Sequence, residues 1–466
     1  MRTNLLLMKL RRVLASTLAC VGLIASPGRG ATTFSAYDHL RVIVGLSKAP
    51  EYRRAGSPGM AAVANYVAGR FSASRYRVVR FDFPFRRYVV DYSRGHGPML
   101  QRSDGMQFKT DSAFELDRTT PAAGITCVVK KVADVSPGDC GFIPFGKASP
   151  EWKNSPFVDY PTEIQSIIAH HGAAAIVQGD VNRDLVFALR VRAALPTVIA
   201  VAHPEELIGR SVRLRAMGSY VTATGHDIVA VRRPPAGSSR YVMLLAHGDG
   251  WFQASADNGS GAAAVLRVSE LLASAPPGAG VIAVVTDGEE IGLIGADRLA
   301  AAFDKGLVVG DGGAKIHTSN INAIVNLDAC SARASDVQNA VAAIARRDAP
   351  LFSWRAMVSS EDPALTGPFL ARFGAHQVLG LPVPASVFKP VAAGSLSGRQ
   401  RTDVAPFEER GIPFAWPVVG YPEYHTDGDT LAAVDPADLE NVAAGAADLV
   451  RDLATIALPR VPQPLR

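Results

Sequence analysis

Two hydrophobic rhythms run along this chain. Over residues 35–75, "AYDHLRVIVGL" and "GMAAVANYVAGRF" place apolar residues three and four apart, which predicts two helices joined by the turn-rich "RRAGSPG". "YRVVRFDF", Tyr76 to Phe83, then alternates as a strand does. Between about residues 100 and 225, short apolar runs such as "GITCVVK", "GAAAIVQG" and "LPTVIAVA" lie between Gly- and Pro-bearing turns. One amphipathic helix, "YPTEIQSIIAHHGA", sits among them, and this stretch predicts a smaller, mainly β inserted unit. From about residue 226 the strand-like runs become continuous. "RYVMLLAHGDG", "GVIAVVTDGEE", "INAIVNLDA" and "FAWPVVG" alternate with the helical "SGAAAVLRVSELLAS" and "LIGADRLAAAF", and "DPADLENVAAGAADLVRDLATIA" closes the chain with Asp435 as its N-cap. Buried β-branched runs alternating with helices predict an α/β fold, a doubly wound mixed sheet with helices on both faces.

Composition changes this picture little, except at the N-terminus. At 466 residues, with 48% hydrophobic and 20% charged residues, the chain suits a globular protein of more than one domain. Five of its 48 basic residues (Arg2, Lys9, Arg11, Arg12 and Arg29) fall within residues 1–30, which hold no acid, and the rest balance the 43 acids. A near-neutral body excludes nucleic acid and an anionic membrane surface as expected partners. The basic start precedes "VLASTLACVGLIAS" and then small residues, the pattern of a secretory signal peptide over 1–30, too short for a stable membrane span. A secreted or cell-envelope location follows as an expectation. Export permits disulfides, and Cys127 and Cys140 flank a strand and a Pro-Gly turn, so that they can bridge. Cys330 is then a lone, buried thiol.

Candidate chemistry collects at strand ends. In open α/β sheets, sites form beyond the carboxyl ends of strands. The first predicted strand of the main domain ends at His247 and Asp249, with Asp257 in the following loop. The next end at Glu289 and Glu290, then at Asp328, and "YPEYHTDGDT" after the late strand holds His425. Alone, each is an ordinary polar residue in a turn. Together they deliver two imidazoles and several carboxylates to one sheet edge, a donor set that suits zinc and exceeds what one tetrahedral ion needs. No such pattern recurs over 100–225, where the adjacent His170 and His171 face different ways and are expected at the surface.

"HGDGWFQASADNGSGAAAV", "DGEEIGLIGA", "NLDA" and "YHTDGDT", with "RTDVAPFEERGIPF", resemble the di-zinc exopeptidases of metallopeptidase family twenty-eight. The resemblance covers most of residues 226–455. It implies that 31–99, after the expected leader, and 226–466 form the peptidase domain, and that 100–225 are an inserted protease-associated domain. It further implies two Zn2+ ions, with His247, Asp257 and Asp328 on one, and Asp257, Glu290 and His425 on the other. Glu289 would be the general base toward a water shared by the ions, Asp249 would orient His247, and Tyr424 would contact the tetrahedral intermediate. The Asp257–Asn258 peptide is expected to be cis. Peptides are the implied substrates, and an aminopeptidase is the expected activity.

Departures from the family pattern leave alternatives open. The family's "SDH" is "TDV" here, with Val404 in place of the histidine and Asp403 kept. "HGDGW", with Trp251 as a candidate for the substrate pocket, resembles the glutamate-carboxypeptidase branch, although only 41 residues follow His425. A carboxypeptidase or dipeptidase would need a cationic group for the substrate carboxylate, and Arg401 is the candidate. An inactive binding protein and a glutaminyl cyclase are the remaining readings.

Overall fold

The computed structural model describes residues 34–95, 97–112, 115–144, 161–188, 192–309, 315–333, 354–386 and 402–461. The expected leader and Arg401 lie outside the described residues. Ser35–Arg466 form one compact unit built on two sheets. The larger has eight strands: β1 Arg77–Val90, β2 Gly218–Arg232, β3 Tyr241–His247, β4 Gly280–Thr286, β5 Ile321–Asn326, β6 Trp354–Ser359, β7 Leu381–Pro384 and β8 Phe414–Gly420. Their spatial order is β1-β2-β4-β3-β5-β8-β6-β7. The central four, β4, β3, β5 and β8, are mutually parallel, and the strands beside them, β2 and β6, run antiparallel to them. This is the expected mixed α/β sheet.

Central strands bury both faces, which is why they lack alternation in sequence. In β3, Val242, Leu244 and Ala246 point into one core and Met243 and Leu245 into the other. The first core lies under helices α1 Ala36–Leu46, α2 Pro58–Ala73, α4 Gly261–Ser274, α6 Pro363–Ala375 and α7 Pro436–Leu453. The second lies under α5 Ile294–Lys305, through Leu299, Ala300 and Phe303. Asp435 caps α7 as expected, accepting from the backbone N–H groups of Ala437 and Asp438. Two elements differ from expectation. β1 continues past Phe83 to Val90, because an edge strand tolerates Pro84 and the charged Arg86 and Arg87 that interrupt its pattern. α6 contains Gly367 and Pro368, which conceal its helical period.

The second sheet has seven strands, in the order Met99–Arg102, Ser211–Arg215, Ile125–Lys131, Cys140–Ile143, Ala174–Gln178, Thr197–Ala200 and Thr110–Ser112. Helix α3, Pro161–Ala169, is the helix anticipated there. Cys127 and Cys140, on neighbouring strands with Cα atoms 5.6 Å apart, form a disulfide, and Cys330 is buried and free. The junction expected near residue 225 lies inside β2, which pairs with β1 from Arg77–Val231 to Val90–Gly218. Both chain crossings into the second lobe are therefore one continuous ribbon.

Candidate metal centre

Four parallel strands must end on the same edge, and this edge gathers the candidate residues. His247 is the last residue of β3. Glu289 and Glu290 follow β4 through a turn at Gly288, whose φ of 83° suits glycine. Asp328 lies two residues beyond β5, and His425 lies in the turn after β8. Asp257 sits in an irregular segment, Ser255–Ser260, leading into α4, and its peptide bond to Asn258 is cis.

The side chains converge on two points. His247 Nε2 is 3.2 Å from Asp328 Oδ1, 3.3 Å from Asp257 Oδ1 and 4.0 Å from Glu289 Oε2. His425 Nε2 is 2.9 Å from Asp257 Oδ2 and 3.2 Å from Glu290 Oε2. Asp257 thus faces one imidazole with each oxygen. All six residues are at most 5% exposed. Burial pushes the Asp328 carboxyl up, against the pull of His247. For His247 burial acts downward, but the Asp328 and Glu289 carboxylates outweigh it and hold the imidazole well above its ordinary value. So many carboxylates held away from water around two imidazoles need cations. His247 Nδ1 lies 3.1 Å from the carbonyl oxygen of Asp249; donating there, the ring keeps Nε2 facing the carboxylates, the nitrogen that would bind a metal ion. The residues present fit a pair of divalent metal ions.

The surroundings hold this arrangement from several segments. Asp249 meets His247 through its carbonyl oxygen, 3.1 Å from Nδ1, and through its carboxylate, 3.6 Å from the same nitrogen, and the carboxylate also accepts from the backbone N–H groups of Glu289 and Glu290, each at 3.2 Å. Asn258 ties the cis segment to the next strand end, its amide donating to Leu327 O and its carbonyl accepting from Gly261 and Ala329 N–H. Tyr424 stacks on His425, with ring centroids 3.9 Å apart. Trp251 is buried and lines a pocket with Glu290. Val404, in place of the family's histidine, is wholly buried among apolar groups.

Several supporting residues escape sequence reasoning. Asp429 accepts from Ala256 N–H (2.8 Å), Asp257 N–H (3.1 Å) and the Tyr421 hydroxyl (2.7 Å), and burial pushes its carboxyl up to about 7. Arg53, fully buried, donates to Gly248 O at 2.8 Å and to the carbonyls of Gln253 and Ala254. Asp429 stands inside "YHTDGDT", so its motif is visible in the sequence although its role is not. Arg53 carries only the signal of two charges in a turn. The second lobe also reaches the centre. Ala188 N–H donates to His425 O at 2.8 Å, and Val186 exchanges hydrogen bonds with Asp427, while Lys109 Nζ is 2.9 Å from Asp427 Oδ2.

A doubly wound sheet carrying paired imidazole–carboxylate clusters at the ends of its parallel strands defines a metallopeptidase. The chain matches, over residues 227–450, the family model described as Peptidase family M28. In fold it is similar to BSAP, a zinc aminopeptidase from Bacillus subtilis, at 17% identity, 91% coverage of this chain, 95% of that one and a TM-score of 0.64. It is likewise similar to a peptidase M28 precursor from Shewanella amazonensis SB2B (15% identity, 92% and 95% covered, TM-score 0.67). An aminopeptidase from Aneurinibacillus sp. strain AM-1 shares 18% identity over 92% and 96% of the two chains, with a TM-score of 0.55. No curated protein matches the chain.

Proposed function

We propose that the protein is an exported di-zinc exopeptidase that acts as an aminopeptidase, releasing N-terminal residues from peptides. The observation that carries this reading is Asp257, whose two oxygens face two separate imidazoles, each with a further carboxylate beside it. His247, Asp328 and Asp257 would hold one zinc; Asp257, Glu290 and His425 would hold the other. Imidazole and carboxylate donors suit zinc, and the fold neighbours named as aminopeptidases support the choice of metal and of activity. Bound zinc supplies Lewis-acid polarisation of the scissile carbonyl and acidifies the attacking water.

The chain's own residues do the rest. Glu289 is not needed as a ligand under this assignment, yet it faces the same cluster, 4.0 Å from His247 Nε2. Its carboxylate takes the proton from water and returns it to the leaving amine. Asp249 fixes the backbone from which Glu289 and Glu290 diverge, so that adjacent carboxylates serve separate tasks. Tyr424, held flat on His425, offers its hydroxyl to the substrate oxygen as charge develops. The basic, then apolar, N-terminus and the Cys127–Cys140 disulfide support export, since disulfides persist in oxidising compartments.

The test is a hydrolysis panel of free-amine aminoacyl substrates, N-blocked peptides and dipeptides, each with and without chelator. Free-amine substrates should be cleaved and chelator should stop them; cleavage confined to N-blocked peptides would overturn the aminopeptidase reading. Glu289→Gln should keep its zinc by elemental analysis while kcat falls by about 10²- to 10⁴-fold. Normal turnover by that variant would remove Glu289 from the mechanism.

A further inference from the structure

We infer that Arg53 and Asp429 are a coupled pair of positioning residues. One grips carbonyl groups of the loop that carries Asp257, the other its N–H groups, and together they hold the Asp257 carboxylate between the two imidazoles. This rests on the di-zinc reading and adds to it the residues that fix the shared ligand. Both side chains are buried, Arg53 completely. Their hydrogen bonds go to the main chain and to Tyr421, so they act on Asp257 through its backbone.

Residues 253–257 are tied one after another. Arg53 Nη1 donates to Gln253 O and Nη2 to Ala254 O, while Nε reaches back to Gly248 O at 2.8 Å. Asp429 takes over where Arg53 stops. Its carbonyl accepts from Ser255 N–H at 3.2 Å, and its carboxylate from Ala256 N–H at 2.8 Å and Asp257 N–H at 3.1 Å. The Tyr421 hydroxyl, 2.7 Å from Asp429 Oδ2, orients that carboxylate in turn. Asp429 also lies four residues beyond His425, so the same grip sets Asp257 against that imidazole. Two observations show that the loop needs holding. Phe252 and Ala254 have φ of 56° and 46°, the left-handed region, which residues with a Cβ adopt only where their surroundings impose it. Glycines also make room for the guanidinium: a Cβ on Gly250 would stand 3.2 Å from Arg53 Nη2, and one on Gly259 3.3 Å from it. A cation on carbonyls and an anion on N–H groups both make charge-assisted hydrogen bonds, the stronger kind. Loss of either grip frees the same segment, so the two work as a unit.

The test uses the full chain with Arg53→Lys, Asp429→Asn, the double variant and, as the mildest change, Tyr421→Phe. Competition of zinc against a chromogenic chelator should show Arg53→Lys and Asp429→Asn each binding about 10- to 100-fold more weakly. The double variant should stay within about threefold of the weaker single, whereas independent supports would multiply. In the loaded enzyme kcat should fall by about tenfold or more with KM near its wild-type value, because a displaced bridge raises the barrier and leaves peptide binding alone. Zinc affinity within about twofold of wild type in both single variants, or effects that multiply in the double, overturns the pair. Hydrogen exchange on the metal-free chain reads the loop without zinc. The amides of residues 250–260 should exchange about tenfold or more faster in Asp429→Asn, at an unchanged melting temperature. If the wild type binds no zinc, the di-zinc reading fails by itself, and the pair stands or falls on whether that exchange speeds up or stays the same. Where a buried-charge variant does not fold, the same exchange in Tyr421→Phe decides, and an unchanged rate there overturns the pair.

Discussion

A guanidinium without access to water must find acceptors inside the protein, and Arg53 finds them on the main chain of the loop that carries Asp257. The pair is invisible in sequence, because carbonyl oxygens have no letter. The ligand candidates are the opposite case. Metal and proton chemistry demand His, Asp and Glu, so those positions stand out in the sequence by residue type alone. Glu270 illustrates a third kind of residue, one whose environment sets a pH dependence. Burial pushes its carboxyl up, but hydrogen bonds from His39 and Arg70 outweigh that and hold it below its usual value. A depressed carboxyl stabilises the fold fully above its unfolded pKa, about 4.3, and that contribution is lost as pH falls through the folded value. Glu270→Gln should therefore lower the melting temperature at pH 7, and the difference should shrink as the pH falls below the unfolded value, which scanning calorimetry along a descending pH series would check.

The parallel strands are the most legible elements, because burial on both faces forces unbroken apolar runs that end in polar residues. β1, α6 and the clamp from the second lobe are not, for three separate reasons: prolines within regular structure, a glycine beside one of them, and hydrogen bonds made by backbone. The clamp yields a test of its own. Asp427 exchanges hydrogen bonds with Val186, and two residues further on Ala188 N–H donates to His425 O. Removing that carboxylate frees the turn on which His425 sits, without touching a candidate ligand. Asp427→Ala should weaken zinc binding by about 10- to 100-fold, the usual cost of losing a group that orients a ligand. Competition against a chromogenic chelator measures this directly, and Asp427→Asn should recover part of it.

Across the whole molecule, the two lobes share one centre. Trp251 and Phe252, on the loop after His247, belong to the hydrophobic core of the second lobe, and so do Val186, Phe187 and Ala188 of the clamp. Cations that bind only the folded centre should stabilise the entire unit. At free zinc a thousandfold above Kd the gain is about 4 kcal/mol, so excess chelator should lower the melting temperature measurably. An unchanged transition would mean that the buried carboxylates are balanced in another way. Yet the covalent attachment of the second lobe is slight. Its chain leaves at Val90 and returns at Gly218, and these two residues are ladder partners, about 5 Å apart as neighbouring strands are. A two-residue Asn-Gly hairpin could join them directly. One short splice between Val90 and Gly218 would therefore excise the lobe. The excised remainder should keep its eight-stranded sheet, by circular dichroism, and lose the zinc affinity that the clamp sustains.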